Sequence, residues 1–326
     1  MGVTRREFVK SGVAGGLAAG PMAAADGPKG ALPTRVLGKT GIRVSILAMG
    51  GGNRFLQYRD EDKALEALRK ALDLGITYID TSDSYGNHLS EERIGKGIKG
   101  RREGIFLATK VTERNGAETA RIVEKSLKSL SVDRIDLVHI HSLSTAEDLA
   151  LIESRGGVLE QLMKLRDQKL VRFIGITSHS DPVVLRTALE RHPFDCTQMA
   201  LNGAMLGMTN GPGGGLTPNA LSNPSFQAVA LPVANRKDIG VIAMKIFAQD
   251  ALTGQATAEK LLYYSLSLPV AAAVVGMPKL EHIEENVRLV KAFRPLPGAE
   301  MQRLSQTLSA RNKASLDLYF RSHVDG

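Results

Sequence analysis

Short apolar segments alternate with amphipathic segments along most of this chain, and that alternation limits the folds it can adopt. Eight segments are typical of buried strands, because each is apolar and rich in β-branched residues. Helical periodicity, as in residues 62–74 before Gly75, fills the intervals between them. Strands that are each followed by a helix predict an α/β fold, a parallel (β/α)8 barrel of the TIM type, and residues 33–44 predict a β-hairpin ahead of it. The predicted strands are 45–49, 77–80, 105–109, 135–140, 172–176, 195–198, 241–245 and 272–275, and the further helices are 91–99, 117–130, 159–167, 182–191, 226–237, 258–266 and 281–290.

A doubly wound open sheet is the alternative for the same alternation. Sheets of that kind that bind dinucleotides carry a Gly-x-Gly-x-x-Gly turn after the first strand. Here the first predicted strand is followed by Gly50-Gly51-Gly52, which lacks that spacing. The sequence therefore favours the barrel. Residues 203–225, rich in glycine and proline, are predicted to form a long loop without regular structure over the same face of the barrel as the later strand ends.

Composition and charge exclude several classes of function. The chain is 43% hydrophobic and 23% charged, which is ordinary for a globular domain, and its net charge is +8. The charges are dispersed, with no long basic run interleaved with aromatic residues, so nucleic-acid binding is not predicted. The single cysteine, Cys196, excludes an intramolecular disulfide, and no spacing of His and Cys residues predicts a metal site. Nothing in the sequence predicts an oligomeric state.

The first 25 residues have the pattern of a targeting segment. Arg5-Arg6, followed by Phe8 and Val9, resembles a twin-arginine (Tat) export signal, and a Gly/Ala-rich stretch ends in small residues at Ala25. The stretch is too short and too rich in glycine to span a bilayer, so no stable membrane insertion is expected. The resemblance implies a signal peptide over residues 1–25, passage through the Tat export machinery, and a periplasmic or otherwise exported domain over residues 26–326.

Polar side chains stand at the ends of three successive predicted strands. Asp80 ends the second strand, and Tyr85 follows on the loop beyond it; Lys110 ends the third strand and His141 the fourth. Because the carboxyl ends of barrel strands open on one face, these four side chains are expected to converge. Singly, each has a structural explanation, as a cap, a surface aromatic, a solvated strand end or a core histidine. Together and in this order, they predict an acid–base site.

These motifs resemble those of the aldo-keto reductases, and the resemblance runs from about Arg35 to the C-terminus. It implies hydride transfer between a nicotinamide cofactor and a small-molecule carbonyl or alcohol substrate, with Tyr85 as general acid and base. It is carried by residues 78–86, 108–110 and 136–141.

In such a site, each partner of Tyr85 has a physical task. Lys110 would counter the effect of burial on the phenol pKa, and Asp80 would keep Lys110 charged. His141 would donate a hydrogen bond to the carbonyl oxygen. His139 faces the same side of its strand, but the family pattern falls on His141.

The resemblance also implies a set of cofactor contacts. Thr177 and Ser178 stand where the family has a Ser-Asn pair for the nicotinamide carboxamide, and Gln198 would complete that contact. Met244 replaces a stacking tyrosine. The full predicted set is Gly50, Gly51, Thr177, Ser178, Gln198, Met244, Lys245, Gly276, Lys279, His282, Glu285 and Asn286.

The segment around the last strand bears on the choice between NADP and NAD. Gly276 and His282 stand where NADPH-preferring members often have lysine and arginine, so Lys279 would bind the 2′-phosphate instead. A helix N-terminus there can bind phosphate through its free amides, and Glu285 and Asn286 would face the adenine. NADP is the expected cofactor, with NAD as the alternative.

Two other functions stay open at this point. A redox sensor or regulatory subunit would bind NADP with little turnover, and a sugar dehydrogenase would work in the oxidative direction. The intact group of four polar residues favours an enzyme over a sensor.

Overall fold

At the centre of the computed structural model is a closed barrel of eight parallel strands, and the predicted (β/α)8 barrel is confirmed. The structure describes residues 31–210, 216–220 and 225–321, so the predicted export signal lies outside them. Each barrel strand pairs with the next barrel strand along the chain, and the last pairs with the first, which closes the barrel. The barrel strands are β3 (Leu47–Gly50), β4 (Tyr78–Asp80), β5 (Phe106–Val111), β6 (Ile135–Ile140), β7 (Val171–Ser178), β8 (Cys196–Ala200), β11 (Gly240–Met244) and β12 (Ala272–Val275).

Helices pack around the barrel, and side chains cap several of their N-termini. Asp60, Asn115 and Asp181 each accept a hydrogen bond from a free amide in the first turn of the helix that follows. The helices are α1 (Glu61–Asp73), α2 (Leu89–Ile98), α3 (Gly116–Leu130), α4 (Ala146–Glu153), α5 (Val158–Asp167), α6 (Pro182–Arg191), α7 (Phe226–Arg236), α8 (Ala258–Ser267), α9 (Leu280–Lys291) and α10 (Gly298–Arg321). Of these, α4 and α10 were not predicted. Among the helices of the described residues, none combines the length and the apolar character that a membrane span requires.

The N-terminal hairpin closes one end of the barrel. Strands β1 (Thr34–Val36) and β2 (Arg43–Ser45) pair antiparallel, as predicted. Arg35 is buried and donates to the Val270 carbonyl oxygen over 2.7 Å, next to the start of β12. Leu37 is also buried and lies against Gly240, the first residue of β11. Because the hairpin covers the ends at which the strands begin, a site with access to solvent belongs at the opposite end.

A second hairpin lies over that opposite end. Strands β9 (Leu206–Asn210) and β10 (Leu216–Ala220) pair antiparallel, so the prediction that residues 203–225 lack regular structure was wrong. The pairing overrides a sequence in which Gly207 and Pro218 weaken the strand signal. The Met208 amide donates to the His179 carbonyl oxygen over 2.7 Å, just beyond β7. The hairpin is thereby attached to the mouth of the barrel.

Inside the barrel, a missing side chain makes room for a ring. His139 on β6 is fully buried and lies beside Gly175 on β7, its partner in register. A Cβ atom at Gly175 would lie 2.3 Å from His139 Nδ1 and 2.9 Å from the Cys196 carbonyl oxygen. Contacts that short force atoms to move, so glycine at this position is a packing requirement of the histidine and of the neighbouring backbone.

Candidate active site

A buried ion pair lies where β4 and β5 reach the open end of the barrel. Asp80 is the last residue of β4, and Lys110 lies near the end of the adjacent strand β5. Lys110 Nζ donates to Asp80 Oδ2 over 2.6 Å and to the Thr81 carbonyl oxygen over 2.7 Å. The exposed fraction of the two ionic side chains is 1% and 3%. The parallel register of neighbouring strands therefore delivers an ammonium group and its counter-ion to one point.

Tyr85 contacts this ion pair from the loop after β4. Its hydroxyl oxygen accepts a hydrogen bond from Lys110 Nζ over 3.4 Å, and Nζ also lies 4.9 Å from the centroid of the ring. Beyond Tyr85 the chain turns through Gly86, Asn87 and His88, which all have positive φ angles. Two consecutive non-glycine residues in the left-handed region are uncommon, so the turn must be held by its surroundings.

A buried pair that the sequence did not reveal holds that turn. His88 Nδ1 is hydrogen-bonded to the Glu91 carboxylate, which is fully buried in the first turn of α2. Glu91 in turn accepts a hydrogen bond from Thr109 Oγ1, one residue before Lys110. The loop that carries Tyr85 is thus attached through two side chains to the strand that carries Lys110.

His141 completes the group from the end of β6. Its Nδ1 lies 3.3 Å from Ser82 Oγ, and its ring centroid lies 5.9 Å from that of Tyr85. Its carbonyl oxygen accepts a hydrogen bond from Arg114, which also pairs with Asp148. Side chain and backbone are therefore both fixed. The structure brings the four predicted residues together; their catalytic roles stay predictions.

Burial and the neighbouring charges set the protonation of the group. Burial opposes charge on Lys110, but Asp80 and Tyr85 raise the pKa of Lys110 above its ordinary value. Burial raises the pKa of Tyr85 above its ordinary value, and Lys110 opposes that rise. Burial also raises the pKa of Asp80, with Lys110 opposing. Burial, followed by the charge of Lys110, lowers the pKa of His141 well below its ordinary value. At neutral pH the site holds a protonated phenol, an ammonium group and a neutral imidazole.

The predicted glycines at the end of β3 are closely packed. The Gly51 amide donates to the Asp80 carbonyl oxygen over 2.6 Å, and a Cβ atom at Gly51 would lie 2.8 Å from Ser90 Oγ. A Cβ atom at Gly50 would lie 3.1 Å from Val274 Cγ1. Packing alone is enough to require glycine at position 51. The predicted cofactor contacts of both glycines stay predictions.

The hydroxyl groups of the predicted carboxamide site are engaged with backbone atoms. Thr177 Oγ1 accepts from the Ser142 amide over 2.8 Å, and Ser178 Oγ donates to the Leu143 carbonyl oxygen over 2.8 Å. Gln198, on the neighbouring strand β8, is buried, and its Oε1 atom has no hydrogen-bond partner within the described part of the chain. Of these three residues, Gln198 has the free buried acceptor.

Lys245 follows Met244 at the end of β11. Its ammonium group has no hydrogen bond or ion pair with any residue that the structure describes, and it is only partly buried. Burial, then Lys110 and Arg54, lowers the pKa of Lys245 to about 8. Arg54 itself pairs with Asp250, which joins the loops after β3 and β11. An unpaired cation in this position is suited to an anionic ligand.

Beyond β12, the predicted phosphate segment forms the start of α9. Gly276 is exposed, and a Cβ atom there would lie 2.7 Å from Arg54 Cβ. Lys279 is the exposed N-cap residue of α9, and no side chain caps the amides that follow it. His282 is half-buried in the first turn. One turn later along the helix lie Glu285, which is exposed, and Asn286, which is buried.

A second histidine beside His141 was missed by sequence reasoning. His179 follows β7 directly, and its ring centroid lies 6.2 Å from that of His141. The alternation of side chains along a strand could have identified it, because residues 175, 177 and 179 lie on the side of β7 that faces the barrel interior. The predicted strand ends at residue 176 and therefore does not include this position.

Known proteins resemble this chain in sequence and in fold. L-galactose dehydrogenase of Arabidopsis thaliana is 29% identical over 314 residues, which cover 83% of this chain and 92% of that protein. The aldo-keto reductase YhdN of Bacillus subtilis is 36% identical over 156 residues, or 43% of this chain and 45% of that protein.

Solved structures share the fold. An aldo-keto reductase of Klebsiella pneumoniae in complex with NADPH superposes with a TM-score of 0.68 at 21% identity, covering 84% of this chain and 94% of that one. The model of the aldo/keto reductase family matches residues 47–263. Because that match spans more than half of the sequence, the chain belongs to the aldo/keto reductase family.

Proposed function

We propose that the protein is an exported, NADP-dependent oxidoreductase that interconverts a carbonyl compound and an alcohol, with Tyr85 as general acid and base. One observation carries the catalytic part of the proposal. A single buried ammonium group, that of Lys110, is hydrogen-bonded both to Asp80 and to the Tyr85 hydroxyl group at the open end of the barrel.

The residues at the barrel mouth suit a dinucleotide phosphate. Gln198 Oε1 is a buried acceptor that no described residue bonds to, which matches the amide group of a nicotinamide. Lys245, which has no ion pair with a described residue, and the uncapped start of α9 suit phosphate groups, and Lys279 adds a positive charge there. The fold relative from Klebsiella pneumoniae is described with NADPH. We therefore infer NADP as the cofactor; when bound, it supplies or accepts the hydride.

The chain's own residues handle the substrate oxygen and the proton. In reduction, Tyr85 gives its phenolic proton to the oxygen that gains charge, and Lys110 stabilises the phenolate that remains. Asp80 keeps Lys110 charged at a position where an unpaired ammonium group would be costly. His141 is neutral, and its Nδ1 lies 3.3 Å from Ser82 Oγ; in the tautomer with the proton on Nε2, it would donate to the same oxygen and fix its position. In oxidation, Tyr85 takes the proton back.

A sugar alcohol or sugar oxidised by the same site is the second candidate. It is favoured by the L-galactose dehydrogenase relative, which covers most of both chains. The geometry of the four residues serves either direction, because an acid in one direction is the base in the other. A cofactor-binding sensor with little turnover is less well supported, since a sensor does not need the complete acid–base group.

The catalytic proposal is tested by hydride transfer. The purified protein, loaded with NADPH deuterated at C4 of the reduced ring, is mixed with propionaldehyde or glyceraldehyde. We expect NADPH absorbance to fall and deuterium to appear at the carbinol carbon, as detected by mass spectrometry. Stoichiometric binding of NADPH without any deuterated alcohol would instead identify a sensor.

The export proposal is tested separately. Replacing Arg5 and Arg6 with lysine keeps the charge but removes the arginine pair on which the resemblance rests. We expect the variant to stay in the cytoplasm, while the unchanged chain appears in the periplasm with Asp26 as its first residue. Cell fractionation with N-terminal mass analysis measures both. Periplasmic delivery of the lysine variant would refute a twin-arginine route.

A further inference from the structure

His179 lies in the mouth of the barrel and faces its interior. It continues the inward-facing series of β7 after Gly175 and Thr177, and its ring lies against that of His141 at an angle of 53°. Its backbone is fixed from the other side, because its carbonyl oxygen accepts the Met208 amide of the β9–β10 hairpin. A ring held on a strand end and under a hairpin is suited to contact whatever binds beside His141.

The ring nitrogens of His179 have no hydrogen-bond partner among the residues that the structure describes. The side chain is only 7% exposed, Nδ1 is buried, and the imidazole makes no hydrogen bond to any residue that the structure describes. Leaving a buried polar group without a hydrogen bond is energetically unfavourable. Such groups in a native protein call for a partner, either a ligand or an ordered water molecule. The neighbouring Thr177 and Ser178 differ, since both already bond to backbone atoms.

The protonation state of His179 determines which ligand groups can form a hydrogen bond with its ring. Burial, then Lys245 and Lys110, lowers the pKa of His179 to about 3, so the ring is neutral. A neutral imidazole offers one donor and one acceptor, and a hydroxyl group also both donates and accepts. A carboxylate only accepts, so it can bond only to the protonated ring nitrogen, whereas a hydroxyl group can bond to either ring nitrogen in either tautomer.

We propose that His179 binds a hydroxyl group on the carbon next to the carbonyl carbon, so that the site selects α-hydroxy carbonyl substrates, the class to which sugars belong. The carbonyl oxygen lies between Tyr85 and His141, and the neighbouring oxygen meets the adjacent ring of His179. His179 is then a specificity residue that contacts the substrate. The proposal rests on the reductase function proposed above.

The test compares two aldehydes that differ by this hydroxyl group. In His179→Phe, which keeps an aromatic ring and removes both nitrogens, we expect kcat/KM for glyceraldehyde to fall about 10- to 100-fold. For propionaldehyde it should change by less than about 2-fold, because no hydrogen bond to His179 is lost. His179→Asn retains a donor and an acceptor and should recover part of the preference for glyceraldehyde. The Kd for NADPH, measured by the fluorescence of the bound cofactor, should stay unchanged in both variants.

Two outcomes would overturn the proposal. An equal fall in kcat/KM for both aldehydes would mean that His179 stabilises the site as a whole and does not bind the hydroxyl group of the substrate. A larger Kd for NADPH in the His179 variants would mean that the His179 ring binds the cofactor. Failure of the unchanged protein to reduce either aldehyde is a different result: it would refute the reductase function itself and, with it, this inference.

Discussion

Tyr85→Phe is expected to lower kcat about 10²- to 10⁴-fold, the range for loss of a general acid. The phenol is the group that the structure places against Lys110 Nζ, and phenylalanine keeps the ring while removing the proton donor. The loop should be retained, because its attachment runs through His88 and Glu91 and does not involve the hydroxyl group. Steady-state reduction of glyceraldehyde measures the loss, and NADPH binding should stay within about 2-fold of the unchanged protein.

A matched control is Tyr264→Phe. Tyr264 on α8 donates its hydroxyl hydrogen to Gln227 on α7, so this variant also removes one phenol but leaves the four-residue group intact. Its activity should be close to that of the unchanged protein. Full activity of Tyr85→Phe would rule out the assigned role.

Lys110→Met is expected to remove activity and also to lower the free energy of unfolding by about 3–5 kcal/mol, the cost of leaving a buried charge without its partner. Methionine fills a similar volume but leaves Asp80 buried beside an apolar chain, and the Thr81 carbonyl oxygen loses its donor as well. Urea denaturation measures the stability, read from the midpoint at constant m.

The double variant Asp80→Asn/Lys110→Met separates the two effects. Neutralising the carboxylate removes the uncompensated charge, so a large part of the stability should return. Activity should not return, since no ammonium group stands beside Tyr85. A Lys110→Met variant as stable as the unchanged protein would show that the pair is solvated in solution and would weaken the account of its charge.

Regular features of the fold could be predicted because they depend on local pattern. The apolar run of β6 and the leucine spacing of α1 are strong signals, and both elements lie where the pattern placed them. The β9–β10 hairpin could not be predicted, because its pairing depends on contact with the barrel mouth rather than on its own residues. Helix α4 was not predicted for a different reason. Its apolar residues include the exposed Leu151, which obscures the amphipathic pattern.

In the candidate site, too, some residues could be predicted from local motifs, whereas other features depend on the folded structure. Asp80, Tyr85, Lys110 and His141 stand in motifs that specify them, whereas the attachment of the Tyr85 loop through His88 and Glu91 depends on a turn of two consecutive left-handed residues after Gly86. No pattern of residue types predicts such a turn.

The hydroxyl groups of Thr177 and Ser178 are a second example of contacts that the sequence does not predict. The family resemblance predicts that they contact the cofactor, but the atoms to which they bond depend on the neighbouring loop, where Ser142 has a φ angle of 56°. Their hydrogen bonds go to backbone atoms, whereas His179 Nδ1 and Gln198 Oε1, beside them on β7 and β8, have no hydrogen-bond partner among the described residues.

The packing of Gly175 against His139 also bears on how this barrel can vary among related proteins. Because any side chain at 175 would occupy the space of the ring, the two positions are not free to drift separately. A homologue that carries alanine at position 175 should carry a residue smaller than histidine at position 139. The order in which the two changes occur matters. Shrinkage at 139 has to come first, since the reverse order passes through an overfilled core.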